Sequence, residues 1–212
     1  ALYNNFYCKD LKFDLKNYSK IENLIKKEKP DFVFHLAAQP IVLESYTDPY
    51  TTYMSNTLGT LNILESLKKS NHKCTVIMIT SDKCYENINK KVNYKENDRL
   101  GGLDPYSSSK ASAELIIRSY YESYFKTKSS NVRICSARAG NVMGGGDWAK
   151  YRIVPDCMKS WSEGKKVIIR NAKSTRPWQH VLEPISGYLT LAKSLLKDQN
   201  LNGEAFNFGP KS

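Results

Sequence analysis

Tyr106 and Lys110 stand four residues apart in DPYSSSK (104–110), and Ser81, Asp82 and Lys83 are consecutive in SDKCYEN (81–87). Positions four apart share one face of a helix, where an ammonium can lower the pKa of a phenol and make it a usable base. An Asp beside a Lys just after a strand adds a second candidate acid and base. The tyrosine-lysine spacing is a weak signal by itself, because both types are common on surfaces and the chain has 14 tyrosines. Its weight comes from the Asp-Lys pair and from the order of the elements around both.

Those elements are legible as periodicity. DFVFHL (31–36), TVIMIT (75–80) and NVRICSA (131–137) are short apolar runs rich in branched residues, the pattern of parallel strands buried on both faces. Between them, Met54, Leu58, Leu61 and Leu64 recur at helical spacing over 53–69, and Leu115, Ile116, Tyr120 and Tyr124 do so over 107–125. Pro105 behind Asp104 marks the first position of the helix that carries Tyr106. Strands alternating with helices of this length predict an α/β fold with a doubly wound parallel sheet. Ligands of such sheets bind beyond the carboxyl ends of the strands. That rule brings His35 to Gln39, Ser81 to Lys83, and Ala139 to Asn141 onto one rim. The small Ala37 and Ala38 either let a flat cofactor approach the backbone or simply pack.

Composition bounds the answer. The chain has 212 residues, 41% hydrophobic and 25% charged, which predicts a globular protein with one core, or one domain and part of a second. No apolar run approaches the roughly 18 residues of a membrane span, and ALYNNFYCKD has no signal-peptide pattern, so the expected address is cytoplasmic. Five cysteines form no C-x-x-C, and the three histidines lie far apart, so neither a metal site nor a disulfide framework is expected. The formal charge of +11 raises nucleic acid as a partner. Yet the lysines are scattered, with Lys26-Lys27, Lys68-Lys69 and Lys165-Lys166 at ends or outer faces of helices. A basic field of that kind suits a small polyanion such as a nucleotide diphosphate, and no nucleic-acid or membrane partner is expected.

HLAAQP, SDKCYEN, DPYSSSK, SARAGNVMGGGDW, TRPWQHVLEPISGYL and FNFGP, in that order and spacing, resemble the CDP-glucose 4,6-dehydratases, nucleotide-sugar enzymes of the extended short-chain dehydrogenase/reductase family. The resemblance covers essentially the whole chain. It implies a Rossmann-like sheet, NAD as cofactor and CDP-glucose as substrate. The family's Gly-rich turn after its first strand is not in this sequence, and Gly144 to Gly146 lead into an Asp-Trp loop instead of a helix. The expectation is a sheet lacking its first β-α-β unit in a chain truncated at both ends. Residues 1–140 would form a partial NAD-binding domain and 141–212 a partial nucleotide-sugar region with segments returning to the sheet.

The resemblance also implies roles. Tyr106, aided by Lys110, would take the proton of the sugar 4-hydroxyl, and Ser81 would hydrogen-bond the same oxygen. Related dTDP-glucose dehydratases carry Asp-Glu where this chain has Asp82-Lys83, as the CDP-glucose branch does. Asp82 is read as the acid toward the 6-hydroxyl and Lys83 as the base at C5. Asp14, Leu15, Leu36, Ala37, Ala38 and Asn56 would line the cofactor with Tyr106 and Lys110, while Gln39, Asn141, Arg170 and Arg176 would meet the substrate. Asn56 either orients the tyrosine-lysine pair through a water or helps to start a helix. His180 beside Trp178 reads as a packed residue or as one that supports the site from behind. Helices 53–69 and 107–125 would pair in a homodimer, or Leu61 and Leu64 would serve the chain's own core. The implied activity is dehydration of CDP-glucose to CDP-4-keto-6-deoxyglucose for surface polysaccharide such as lipopolysaccharide. A 4-epimerase or another dehydratase of the same fold, and a non-catalytic truncated protein, stay open.

Overall fold

The computed structural model describes residues 8–88, 93–169 and 171–210. In chain order the elements are α1 (Tyr18–Glu28), β1 (Phe32–His35), α2 (Val42–Thr47), α3 (Pro49–Tyr53), α4 (Gly59–Ser70) and β2 (Cys74–Ile79). There follow α5 (Pro105–Tyr120), β3 (Val132–Ala139), β4 (Asn141–Met143), α6 (Ile153–Ser162), β5 (Trp178–His180), α7 (Leu182–Lys197) and β6 (Ala205–Phe208). Residues 54–58 join α3 to α4 as a single π-helical turn, and residues 121–125 extend α5 in the same way.

Four strands form one parallel sheet in the order β1-β2-β3-β6. Their side chains alternate between faces, as the two-residue period of a strand requires. Cys74, Val76, Met78, Val132 and Ile134 pack against Ile21 and Ile25 of α1, Leu64 and Leu67 of α4, and Ile117 of α5. Ile77, Cys135, Ala137 and Ala139 face Tyr188, Leu191, Ala192 and Leu195 of α7. Helices on both faces make the sheet doubly wound. Helix boundaries follow local chemistry: Asn17 caps α1 by accepting from Lys20 N, and α1 and α4 end at Lys29 and Asn71 in the left-handed conformation.

Two expectations about burial are corrected. The β1 run is not buried on both faces, since Phe32 is 42% exposed. Among the described residues β1 hydrogen-bonds to β2 alone, and Phe32 and Phe34 line a groove against Leu189 and Leu196 of α7. On α5, Leu115 and Tyr124 point outward at 58% and 44% exposure, while Ser107, Ser109, Lys110 and Glu114 turn inward. Polar partners beneath the helix, described below, take the inner face.

The short strands β4 and β5 pair in a separate parallel sheet beside the rim. Gly140 permits this departure from β3, because a Cβ there would lie 2.6 Å from the Pro177 ring. After β5 the chain returns to the main sheet through α7 and β6. Among the described residues no helix is long and apolar enough to cross a membrane, and no group of three His, Cys, Asp or Glu side chains could hold a metal ion.

Candidate active site

The carboxyl ends of β1, β2 and β3 bring the expected segments to one rim. Ser81 follows β2 and caps a 3-10 turn over Asp82–Cys84, its hydroxyl accepting from Lys83 N at 3.2 Å. That cap holds Asp82 and Lys83 side by side. Lys83 Nζ lies 3.3 Å from Asp82 Oδ1 and 3.5 Å from the side-chain oxygen of Asn141, which opens β4. Ser81 Oγ donates to Asp82 Oδ1 at 3.0 Å. The structure therefore joins Ser81, Asp82, Lys83 and Asn141 in one cluster, although Asn141 is 58 residues away in sequence.

Tyr106 reaches the same cluster from α5. Asp104 caps the helix through Ser107 N and Pro105 fills its first position, as the sequence predicts. Ser45 of α2, fully buried, accepts from the Tyr106 backbone N–H at 3.2 Å and so satisfies one of the helix's free donors. Burial pushes the Tyr106 phenol up, while a hydrogen bond with Ser81 and the Arg152 guanidinium pull it down. Lys110, one turn further along α5, is buried, and loss of hydration pushes it down to about 8 against the opposing charge of Glu114.

His35, at the end of β1, is held at about 4 by burial and by the charge of Lys110. Thr60 commits its proton to Asn56 O, so His35 Nε2 is the donor in the 3.2 Å contact with Thr60 Oγ1. The folded protein keeps this ring neutral down to about pH 4, whereas an unfolded chain protonates it near pH 6.5. Stability from this group is whole above pH 6.5 and declines by about 3 kcal/mol as pH falls to 4. Denaturant titrations between pH 7 and pH 4.5 should show a shallower decline for His35→Gln than for the unaltered protein. Parallel declines would mean that His35 is not a protected neutral group.

Asn56 lies inside the π turn at 2% exposure, not at a helix start. Its side-chain oxygen accepts from Gln39 N at 2.8 Å, and its amide donates to Gln39 O and to Ser109 Oγ. It thereby ties the strand-end loop to the helix of Tyr106 and Lys110; π turns recur where a side chain must be re-aimed at a site. The amide of Gln39 is engaged with Ile41 and Thr52.

Leu36 is 54% exposed beside Ala37 and Ala38, an open apolar floor that fits the approach of a flat ring such as a dinucleotide's. Leu15 packs under Gly59 and accepts from Asn62 through its backbone, which leaves the Asp14 carboxylate at the surface, 61% exposed. Arg176 is exposed, its guanidinium donating to the neighbouring Thr175 O. His180 is exposed, so it is not packed; its Nδ1 accepts from Leu182 N at 3.3 Å and supports the start of α7. Arg170 lies outside the described residues.

With this geometry in place, the sequence match is decisive: residues 4–208 fit the GDP-mannose 4,6 dehydratase family. The chain belongs to that family. Over 201 residues it is 46% identical to the CDP-glucose 4,6-dehydratase of Salmonella typhimurium, covering 93% of this chain and 56% of that protein. It is 29% identical over 203 residues to the dTDP-D-glucose 4,6-dehydratase of Dictyostelium discoideum, covering 87% of this chain and 45% of that one. The chain thus spans about half the length of these curated relatives. The UDP-glucuronic acid 4-epimerase of Bacillus cereus, solved in complex with UDP-glucuronic acid and NAD, superposes with a TM-score of 0.83 at 25% identity, covering 100% of this chain and 63% of that one. The shared architecture is the Rossmann-type sheet.

Sequence reasoning missed two arginines of this GDP-mannose 4,6 dehydratase family member. Arg152, just before α6, pairs with Asp147 at 3.1 Å and acts on Tyr106 across 46 residues of chain. Its Nε is buried without a hydrogen-bond partner. Arg138, in the motif SARAGNV, is buried against Glu114. Arg138 lies in a strand that also holds Arg133 and Ser136, so its charge did not stand out, and nothing local marks Arg152.

Proposed function

We propose that the full-length protein carrying this chain dehydrates CDP-glucose to CDP-4-keto-6-deoxyglucose with NAD as cofactor, the 1–140 portion serving the cofactor and 141–212 the nucleotide sugar. One observation carries the reading: the Asp82-Lys83 pair sits on the same rim as Tyr106 and Ser81, with Lys83 Nζ 3.3 Å from Asp82 Oδ1. Asp14, Leu15, Leu36, Ala37, Ala38, Asn56, Tyr106 and Lys110 would hold NAD. When bound, that cofactor supplies a store for the hydride taken from C4 and returned to C6.

The residues supply the proton transfers. Tyr106, which burial here holds neutral, takes the proton of the 4-hydroxyl once the phenol is ionised, with the Ser81 hydroxyl on the same oxygen. A C4 ketone acidifies the C5 hydrogen. Lys83, as the amine, takes that proton while Asp82, as the acid, gives one to the departing 6-hydroxyl, which leaves as water. That reactive state is reached from the ion pair when the ammonium passes its proton to the carboxylate 3.3 Å away, and elimination returns the pair to ammonium and carboxylate. Lys83 then returns its proton to C5, and the proton collected by Tyr106 restores Asp82, so the cycle balances with loss of one water. Arg176 is assigned to the diphosphate, which a guanidinium suits, Asn141, against Lys83 Nζ, to the sugar phosphate, Gln39 to a sugar hydroxyl and Arg170 to a weaker substrate contact. A 4-epimerase needs no acid and base at C5 and C6, and the 46% identity to the Salmonella dehydratase favours the CDP-glucose reading.

Purified full-length protein should convert CDP-glucose to the 4-keto-6-deoxy product with kcat/KM at least about tenfold above that for dTDP-glucose. A 4-epimer as product, or preference for dTDP-glucose, would sink the assignment. We also infer a cytoplasmic homodimer. Leu115 at 58% and Tyr124 at 44% exposure leave an apolar outer face on the α5 helix, whereas Leu64 is spent on the core. Sedimentation equilibrium of the full-length protein distinguishes the dimer from a monomer.

A further inference from the structure

Behind the rim, one buried carboxylate joins groups that the reaction uses separately. Glu114 lies on α5 one turn beyond Lys110 and is 4% exposed. Thr80 Oγ1 donates to its Oε1, while Ser136 Oγ and Arg138 Nη2 donate to its Oε2 at 2.9 and 2.8 Å. Three donors on two oxygens is the setting of an ionised carboxylate. Arg138 extends the network: its Nη1 donates to Tyr85 Oη and to Glu96 O, both at 2.8 Å, and its guanidinium lies 5.1 Å from the centre of the Tyr85 ring.

A buried ion pair is a poor source of stability, because taking two charges out of water offsets their attraction. What it fixes matters more. Thr80 is the residue before Ser81, and Tyr85 is the residue after the Asp82–Cys84 turn. Glu114 holds the first and Arg138 the second, so the pair grips the catalytic turn at both ends.

We propose that Glu114 and Arg138 are the positioning residues of this site: together they clamp the turn of Ser81, Asp82 and Lys83, and Glu114 keeps the Lys110 ammonium charged from one turn along the same helix. The proposal rests on the catalytic roles assigned above. Lys110 is faced by Glu114 and Tyr106 from its own helix, by Cys84 from the turn and by His35 from β1. Burial pushes the Tyr106 phenol and the Cys84 thiol up and the His35 ring down, so all three are neutral near pH 7. The segments packed on the other side bring Ser45, Thr52, Asn56 and Thr60, which carry no charge. Glu114 is therefore the negative charge among the groups facing Lys110.

Lysine Cε labelled with carbon-13 in the full-length protein reports the titration of Lys110 directly, with the signal assigned by its loss in Lys110→Met. The midpoint should lie at about 8 in the unaltered protein. In Glu114→Gln it should fall by about one to two pH units, and the alkaline limb of kcat/KM should move down with it. The charge-balanced double variant Glu114→Gln, Arg138→Gln removes the risk of a lone buried charge; because a cation leaves with the anion, its midpoint should still fall, but by less than in Glu114→Gln alone. Glu114→Asp keeps the charge but withdraws from Thr80. It should leave the midpoint within about half a unit while kcat drops about tenfold with KM little changed. An unmoved midpoint in either folded Gln variant overturns the electrostatic role, and an unaltered kcat in Glu114→Asp overturns the clamp. If Lys110→Met stays fully active, the catalytic assignment fails instead, and the lysine titration still decides the coupling to Glu114.

Discussion

Tyr106→Phe in the full-length protein is expected to lower turnover of CDP-glucose by about a hundredfold to ten-thousandfold, the range for losing a positioned acid-base group. Affinity for CDP-glucose should change no more than a few fold, measured by calorimetry. The ring stays, and with it the packing of a residue that is only 8% exposed, so the helix start capped by Asp104 and Ser45 is undisturbed. Only the hydroxyl that meets Ser81 is removed. The phenol is assigned to a proton transfer made in the transition state, whereas binding is assigned to Arg176 and the nucleotide end. Loss of binding with turnover nearly intact would reverse those roles.

Lys83→Met separates the two halves of the reaction. Methionine fills a similar volume and accepts no proton, so removal of the C5 proton should fail while oxidation at C4 survives. A single turnover with CDP-glucose should still reduce the bound cofactor, read as absorbance at about 340 nm, while the 4-keto-6-deoxy product forms at least about a hundredfold more slowly. Product at the normal rate would make Lys83 a bystander, and the base would have to be sought elsewhere. If a variant that binds both ligands gives neither absorbance nor product, Lys83 belongs to the oxidation or to assembly of the site. The 3.3 Å contact to Asp82 makes this last outcome a real alternative, since losing the ammonium also frees the carboxylate.

The opposite directions at Tyr106 and Lys110 have one origin. Burial disfavours charge, so it raises a phenol and lowers an ammonium. Spacing pairs the lysine with the tyrosine; the fold adds Glu114, whose charge pulls Lys110 up, and Ser81 and Arg152, which pull Tyr106 down.

Features set within a few residues were open to reading from the chain alone. Asp104 and Pro105 start α5 because a side-chain oxygen and a fixed φ act on the next three residues. The strands at 32–35, 74–79 and 132–139 follow from apolar runs too short for helices, and the rim follows from their parallel direction. The tyrosine-lysine and Asp-Lys pairs are neighbours along the chain, so their types and spacing were visible at once. Features that depend on which elements meet were not. Glu114 meets Arg138 across 24 residues and Ser45 meets Tyr106 across 61, and neither pairing leaves a local trace. Phe32 reads like any buried strand residue, yet it is 42% exposed, because β1 pairs with β2 alone among the described residues. Sequence by itself determined three strands of the main sheet, the two helices between them and the candidate acids and bases, because propensity, capping and periodicity act over a turn or a strand. Tertiary structure alone decided which charges face one another and which groups lose their water, because burial and charge pairing are properties of surfaces brought together from distant parts of the chain.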